Sequence, residues 1–474
     1  MDHPAETPPA PDLVTRLVRQ VLPLVALAIL FAVAVRRAAL TLTNDDTFFH
    51  LRFGSEFLAD WSIRSPGSVT DFGTRDWVPT QWLSQMTMAR TEDPGGTTAV
   101  AVLAGVAYVT YLLVLYLTCR AWSAPLVATL VAGAAFLGSS YGLSARPQVI
   151  SYVLITCTVG AWLATARDGK LRWWLIPMTW AWASLHGLWP VGIVISVVAA
   201  VGISLDERDL RRLKALLVPL GSLLACALTP VGPRLLTEVL TVNSRGSYFA
   251  EWGPTDFTDG SPMILSALLA LVLLAWFRTG QVSWLHGLLF LIAGAWCLYS
   301  MRTVPVGAAL VAPVAAAALT RLVPEQDEAT TGSDRRLAWV GWVVAVAALP
   351  LIAPHTLKVG PELPDRIEED LAALPAGAVV LNEWKWGGYL MWKHPELDFV
   401  VSGYGDIYTT EELDRNVTLT KVDPGWDSRL DEIGPTVALL DAESRLAYAL
   451  IHTSGWTVSR ESDGVVLMKP PTTE

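Results

Sequence analysis

The chain has 474 residues, of which 52% are hydrophobic and only 16% charged, against roughly 25% charged in an ordinary soluble domain. That balance excludes a soluble enzyme. The formal net charge of -10, with no basic stripe, also excludes a nucleic-acid binder, which needs clustered Lys and Arg to displace counterions.

The predicted elements begin with a Pro-rich segment, Met1 to Pro11, followed by Arg16 and Arg19 and an apolar run from Val21 to about Leu42. Positive residues before a first span favour a cytoplasmic N-terminus, here residues 1–20. No small-residue cleavage site follows, so the span is read as retained. Ten more apolar segments follow near 97–118, 124–143, 149–166, 173–185, 188–205, 215–228, 263–277, 284–299, 304–320 and 338–353. Each is long enough to be read against a hydrocarbon core that takes about 20 helical residues. The expected fold class is therefore an α-helical polytopic membrane protein of about eleven spans (21–355), followed by a small extracytoplasmic mixed α/β domain (360–474). The clusters Arg167/Lys170/Arg172, Arg208/Arg211/Arg212/Lys214 and Arg321/Arg335/Arg336 are assigned to the cytoplasmic side. This puts the first loop, 43–96, the turn at Ser184 to Gly187, and the C-terminus outside.

The tail is a separate unit by charge: from Gly360 onward it holds 21 Asp and Glu against 9 Lys and Arg. Strands are expected at 378–382, 399–402 and 437–440, helices from Thr410 and near 444–452, and a hairpin over 456–468 turning at Asp463-Gly464. The four cysteines lie singly inside apolar segments and read as packing residues, without zinc-ligand spacing.

The stretch Asn44-Asp45-Asp46-Thr47-Phe48-Phe49-His50 puts two carboxylates at the outer end of the first span. On a helix starting near Asp45, Asp46 and His50 are four apart and share a face. A carboxylate at a low-dielectric boundary can serve as general base, whereas Asp is also a common helix cap. Arg52, Arg146, Arg245 and Arg302 break the positive-inside tendency. Arg146 and Arg302 sit in turns too short to reach far into water, and guanidinium groups suit phosphate. The alternative is pairing with a loop carboxylate such as Glu251 or with lipid headgroups. His186, at a Trp-rich hairpin turn, and Glu251-Trp252 are candidate substrate contacts, as are Trp384 and Tyr389 in N-E-W-K-W-G-G-Y (382–389), where aromatics adjoin a glycine pair.

In order along the chain, D-T-F-F-H-L-R-F-G (46–54), R-P-Q (146–148), W-A-S-L-H-G (182–187), T-P-V-G (229–232), E-W (251–252), Arg302, N-E-W-K-W-G-G-Y (382–389) and S-G-Y-G-D-I-Y (402–408) resemble the polytopic glycosyltransferases of the GT-C class. The likeness is to a bacterial membrane family with a D-x-x-W-H-L-x-x-G-type segment after its first span. The tail resembles, distantly, the acceptor-recognition region of oligosaccharyltransferase catalytic subunits. The resemblance implies a plasma-membrane enzyme moving a sugar from a polyprenyl-phosphate donor to an extracytoplasmic glycan, lipid or protein acceptor. Asp46 or Asp45 would be the base, and His50, Arg52, Arg146, His186, Glu251, Arg302, Trp384 and Tyr389 would contact substrate. The family often has H-E-W-L late in the first loop where this chain has Thr80-Gln81-Trp82-Leu83, so no cofactor is expected and a divalent metal lacks support. Other readings are a lipid-linked glycan flippase, for which intramembrane charges mark a pathway, and a non-enzymatic polysaccharide assembly protein.

Overall fold

The computed structural model describes residues 13–322, 332–361 and 363–471; most of the expected N-terminal segment 1–20 lies outside the described residues or their described side chains. All eleven expected apolar segments are helical. They are α1 (Leu13–Leu40), α3 (Trp82–Arg120), α4 (Pro125–Gly138), α5 (Gln148–Asp168), α6 (Leu175–Leu185), α7 (Trp189–Glu207), α8 (Leu217–Cys226), α10 (Gly260–Thr279), α11 (Trp284–Tyr299), α12 (Val304–Leu319) and α13 (Ser333–Thr356). Among the described residues, seven of these regions are long and apolar enough to cross a membrane: α1, α3, α5, α7, α10, the α12 region and α13. The other four of the eleven expected spans are shorter helices. Helices α4, α6, α8 and α11 have 14, 11, 10 and 16 residues, and at about 1.5 Å per residue they fall short of a core about 30 Å thick.

The first loop is not a loop for most of its length. Asp45–Ala59 forms α2, and helix resumes at Trp82, running into the third helix through a break at Gly96 (φ 59°) after Pro94. The remaining helix of this part, α9, covers Arg234–Ser244. Packing of small residues closes the bundle: α12 is buried almost throughout, with Gly307 against the Ala293 carbonyl of α11.

The basic clusters gather at one end of the bundle. Arg167 donates to the Ala121 carbonyl, Arg335 to that of Arg120, and Arg321 to that of Gln281. The Arg120 guanidinium also meets Asp334 at 2.6 Å. The first residues of α2, the turn 139–147 and the start of the tail lie at the other end. A parallel pair joins the ends of α1 and α13 there: β1 (Thr41–Leu42) aligns with β2 (Lys358–Val359).

The tail carries a five-stranded sheet in the order β4-β3-β5-β7-β6. These are β3 (Val379–Asn382), β4 (Asp398–Phe399), β5 (Val437–Asp441), β6 (Thr457–Ser462) and β7 (Val465–Lys469), with β4, β3 and β5 parallel and β7 antiparallel to β5 and β6. The expected hairpin is present. Asp463 and Gly464 both have positive φ (48° and 76°), which a two-residue turn between twisted strands requires. Helices α14 (Asp365–Ala372), α15 (Gly387–Lys393), α16 (Thr410–Lys421), α17 (Trp426–Ile433) and α18 (Arg445–Thr453) complete it. The strand expected at 399–402 ends at Phe399, because Ser402 to Tyr408 turns away toward the bundle.

Candidate active site

Each of the four residues opening α2 has a different attachment. Asn44 caps the helix, its side-chain oxygen accepting from the Asp46 amide at 3.0 Å. Thr47 donates to the Ala145 carbonyl at 3.0 Å and so fixes the turn that carries Arg146. Asp45 points to the tail, where its carboxylate accepts from the Gly388 and Tyr389 amides of α15 at 2.9 and 2.8 Å. Asp46 points to Arg146, with Oδ2 at 2.5 Å from Nη1.

The same Nη1 donates to Glu251 at 2.7 Å, and the other Glu251 oxygen accepts from Arg302 Nη1 at 3.1 Å. Four residues far apart in sequence thus form one chain of charge, Asp46–Arg146–Glu251–Arg302. Arg146 is the buried centre, its side chain 6% exposed, while Asp46, Glu251 and Arg302 are 25 to 28% exposed. The Arg146 Nε is held by Ser144 Oγ at 2.7 Å, and the Arg302 guanidinium lies 5.0 Å from the Trp252 ring. Asp46 Oδ1, Arg146 Nη2, and the Nε and Nη2 of Arg302 have no hydrogen-bond partner among the described residues. None of these four is a sealed interior atom. The arrangement therefore offers one free carboxylate oxygen beside several free guanidinium N–H groups.

Asp45 makes contacts unlike those of Asp46. Burial pushes its carboxyl up to about 7, against the pull of the Tyr389 and Gly388 amides and with a small push from Asp46. Both its oxygens are taken by backbone N–H groups, so it latches the tail to α2 next to the site. The glycine pair permits this approach: a Cβ on Gly388 would lie 2.5 Å from the Asp45 carbonyl oxygen, and one on Gly387 would lie 2.1 Å from that of Val401. Gly388→Ala is expected to cost about 1–3 kcal/mol of stability through overpacking, read as a lower thermal midpoint of the detergent-solubilised protein. The latch also carries a pH dependence. Asp45 binds its proton more tightly folded (about 7) than unfolded (3.8), so its contribution is present at acid pH and lost as pH rises through 7. Proteolysis of the 357–364 connection should be faster at pH 8 than at pH 5.5, and Asp45→Asn should flatten that difference.

Both histidines lie behind the charge chain. His50 is buried, with Nδ1 at 3.2 Å from Gln85 Nε2, and its ring lies 5.9 Å from that of Tyr404. His186 Nδ1 is 2.9 Å from Ser151 Oγ, which itself accepts from the Trp182 indole at 2.7 Å. Burial first, then the positive Arg146 and Arg302, hold both imidazoles well below their ordinary range, so they are neutral at pH 7. Although four residues apart on α2, Asp46 and His50 make different contacts, one polar and partly open, the other closed.

The remaining candidates are placed elsewhere. Arg52 pairs along its own helix with Glu56 at 2.9 Å. Tyr389 donates to Glu368 at 2.7 Å and packs edge-on against Phe48, and Trp384 packs against Phe249 at 6.0 Å. Arg245 reaches the carbonyls of Gly405 and Asp406 at 3.3 and 3.4 Å. Sequence reasoning missed the loop Ser402 to Tyr408 as a wall of the site. A Cβ on Gly403 would sit 3.5 Å from Asp46 Oδ1, and Tyr404 is buried against Phe49, Phe53 and Trp77. Asp406 follows, its carboxyl held above the usual range by burial, with Arg245 and Arg302 opposing. The S-G-Y-G spacing was a signal, but its target could not be read. Among the described residues no three His, Cys, Asp or Glu side chains gather as a metal-ligand set.

No protein-family model matches this chain, and no curated protein matches it. Among solved structures, it superposes on the archaeal oligosaccharyltransferase AglB from Archaeoglobus fulgidus, in complex with an inhibitory peptide and a dolichol-phosphate. The TM-score is 0.58 at 11% identity, over 90% of this chain and 70% of that one. It also superposes on ArnT from Cupriavidus metallidurans in the apo state, with a TM-score of 0.53 at 13% identity, over 96% of this chain and 98% of the other. The fold is that of the GT-C glycosyltransferases. ArnT bound to undecaprenyl phosphate gives a TM-score of 0.51 at 14% identity, with 95% and 98% covered. At these identities the likeness is one of fold.

Proposed function

We propose that the chain is a glycosyltransferase of the bacterial plasma membrane, N-terminus inside and tail domain outside. It would move a sugar from a polyprenyl-phosphate donor to an extracytoplasmic acceptor with inversion. The observation that carries this reading is the Asp46–Arg146–Glu251–Arg302 chain, which sets a free carboxylate oxygen beside unpaired guanidinium N–H groups at one end of the bundle. The GT-C fold supports it, since the AglB and ArnT structures carry dolichol-phosphate and undecaprenyl phosphate, respectively.

In the proposed reaction the donor phosphate engages Arg146 and Arg302. The acceptor hydroxyl gives its proton to Asp46 while its oxygen forms a bond to the anomeric carbon. The bond from that carbon to the phosphate oxygen breaks, and the electron pair leaves on the polyprenyl phosphate, where the two guanidinium groups match the growing charge. Attack opposite the leaving phosphate inverts the anomeric centre. Before the donor arrives, Arg146 is occupied by Asp46 and Glu251. A phosphate competing for that guanidinium draws it from the base toward the leaving group, so donor binding itself readies Asp46. The buried neutral histidines offer hydrogen bonds without adding positive charge behind the arginines.

The test is incubation of the purified full-length protein with polyprenyl-phosphate sugars and extracted envelope acceptors, with products identified by mass spectrometry. A product one sugar heavier and free polyprenyl phosphate in equal amount are expected. Lipid movement across vesicles without any glycosidic bond formed would establish the flippase reading instead.

A further inference from the structure

Two arginines near the site end of α1 belong to none of the interactions above. Arg36 is exposed and has no hydrogen-bond or ion-pair partner among the described residues. Its position on the helix is unusual. Leu22, Val25, Ile29, Val33 and Leu40 form the exposed apolar stripe of α1, and at 3.6 residues per turn Arg36 falls in the middle of that stripe, between Val33 and Leu40. A helix that crosses a bilayer turns this face to lipid. Arg36 then stands about 6 Å short of the helix end, the depth from which a long side chain reaches the phosphate level.

Arg37 points a different way. Its Nε donates to the Leu143 carbonyl at 2.9 Å and its Nη2 to the Ser140 carbonyl at 2.6 Å. These carbonyls belong to the turn that ends in Arg146. Lys358, exposed and in register with Thr41, adds a further positive charge at this end of the neighbouring helix. A charge on a lipid-facing stripe is costly unless it meets a partner, and about one turn from the helix end the partner within reach is a phosphate. The apolar residues below it offer a continuous track for a long hydrocarbon chain.

We propose that Arg36 forms a second lipid-phosphate site, separate from Arg146 and Arg302, at which the polyprenyl-phosphate lipid is captured on the outside of the bundle before its head group passes the 139–147 turn. Arg37 is a positioning residue that joins this site to that turn. The proposal rests on the glycosyltransferase reading for the identity of the lipid, but its test does not depend on transfer.

The full-length protein is placed in nanodiscs of neutral phosphatidylcholine, and bound undecaprenyl phosphate is counted by native mass spectrometry. Arg36→Gln is expected to retain one lipid fewer than wild type, while Arg36→Lys retains the wild-type number. Phosphatidylglycerol at the same mole fraction should not displace the lipid that Arg36 holds. Where a transferred sugar has been found, Arg36→Gln should raise KM for the donor about tenfold with kcat unchanged, the worth of one charge-assisted hydrogen bond. Equal lipid counts in Arg36→Gln and wild type would overturn the site, as would displacement by phosphatidylglycerol, which would make Arg36 a contact for bulk anionic headgroups. Normal lipid loss on mutation without any transfer activity would leave this site standing and remove the enzymatic reading; transfer with an unchanged KM would do the reverse.

Discussion

Asp46→Asn is expected to lower glycosyl transfer by about 10²- to 10⁴-fold, the usual worth of a general base, with little loss of stability. The geometry explains why the two effects separate. Oδ1 of Asp46 has no partner among the described residues, so it is the oxygen left to receive a proton, and an amide there cannot. Arg146 keeps Glu251 at 2.7 Å when the Asp46 charge is removed, so the buried guanidinium is not left uncompensated. The Asn44 cap and the Thr47 bond to Ala145, which hold the turn of α2, involve no Asp46 side-chain atom. Single-turnover rates with a saturating donor, alongside thermal midpoints, check this; a well-folded Asn variant turning over at the wild-type rate would remove Asp46 from the mechanism. Asp45→Asn provides the internal comparison, since its effect should fall on tail docking and not on the chemical step.

The second large effect is expected at Arg146. Arg146→Lys keeps a positive charge among the carboxylates, so the fold is not asked to bury two facing anions. A lysine has one nitrogen where the guanidinium uses three: Nε to Ser144, Nη1 to Asp46 and Glu251, and Nη2 left open. The ammonium group cannot stay with Glu251 and also meet a leaving phosphate from the Nη2 position, and Arg and Lys are not equivalent where a planar fork is needed. A loss of about 10²- to 10³-fold in kcat is expected, the range for removing one donor to a developing anion. Arg302, more exposed and tied only to Glu251 and the Trp252 face, should lose less. Rates for Arg146→Lys and Arg302→Lys under the same conditions test the ranking, and equal losses would contradict it.

Much of the membrane part was legible because hydropathy is a long, repeated signal, yet helix length was not. The run 173–185 ends at Leu185 because the chain turns at His186, whose backbone is extended. The run 215–228 is shortened by a 3-10 segment, Leu210–Leu216, ahead of α8. Composition alone does not distinguish a short packed helix from a full crossing. The site was legible to the extent that it is made of rule-breaking charges: Arg146 and Arg302 stood out as positive residues at the wrong end, and Glu251 joins them. The roles of Asp45 and Asp46 were not separable in sequence, since two adjacent carboxylates differ only in what reaches them. For Asp45 that partner is 343 residues away in the chain. Gly403 and Tyr404 stood inside the quoted S-G-Y-G-D-I-Y segment, but their approach to Asp46 and Phe49 was not readable from it. Trp384 and Tyr389 looked like a binding loop because aromatics beside glycines permit close approach; in the structure Gly388 and Tyr389 meet Asp45 of α2 and Trp384 packs on Phe249. Arg36 was absorbed into an apolar run, where two adjacent arginines among twenty-two residues do not outweigh the average.

The central claim is that Asp46, Arg146 and Arg302 share one phosphate-accepting site in which the base is freed as the lipid binds. A structure of the full-length protein with undecaprenyl phosphate tests it most directly. Phosphate oxygens are expected within about 3.2 Å of both guanidinium groups, with the Asp46 carboxylate released from Arg146. A phosphate bound elsewhere, with Arg146 still held between Asp46 and Glu251, would contradict it.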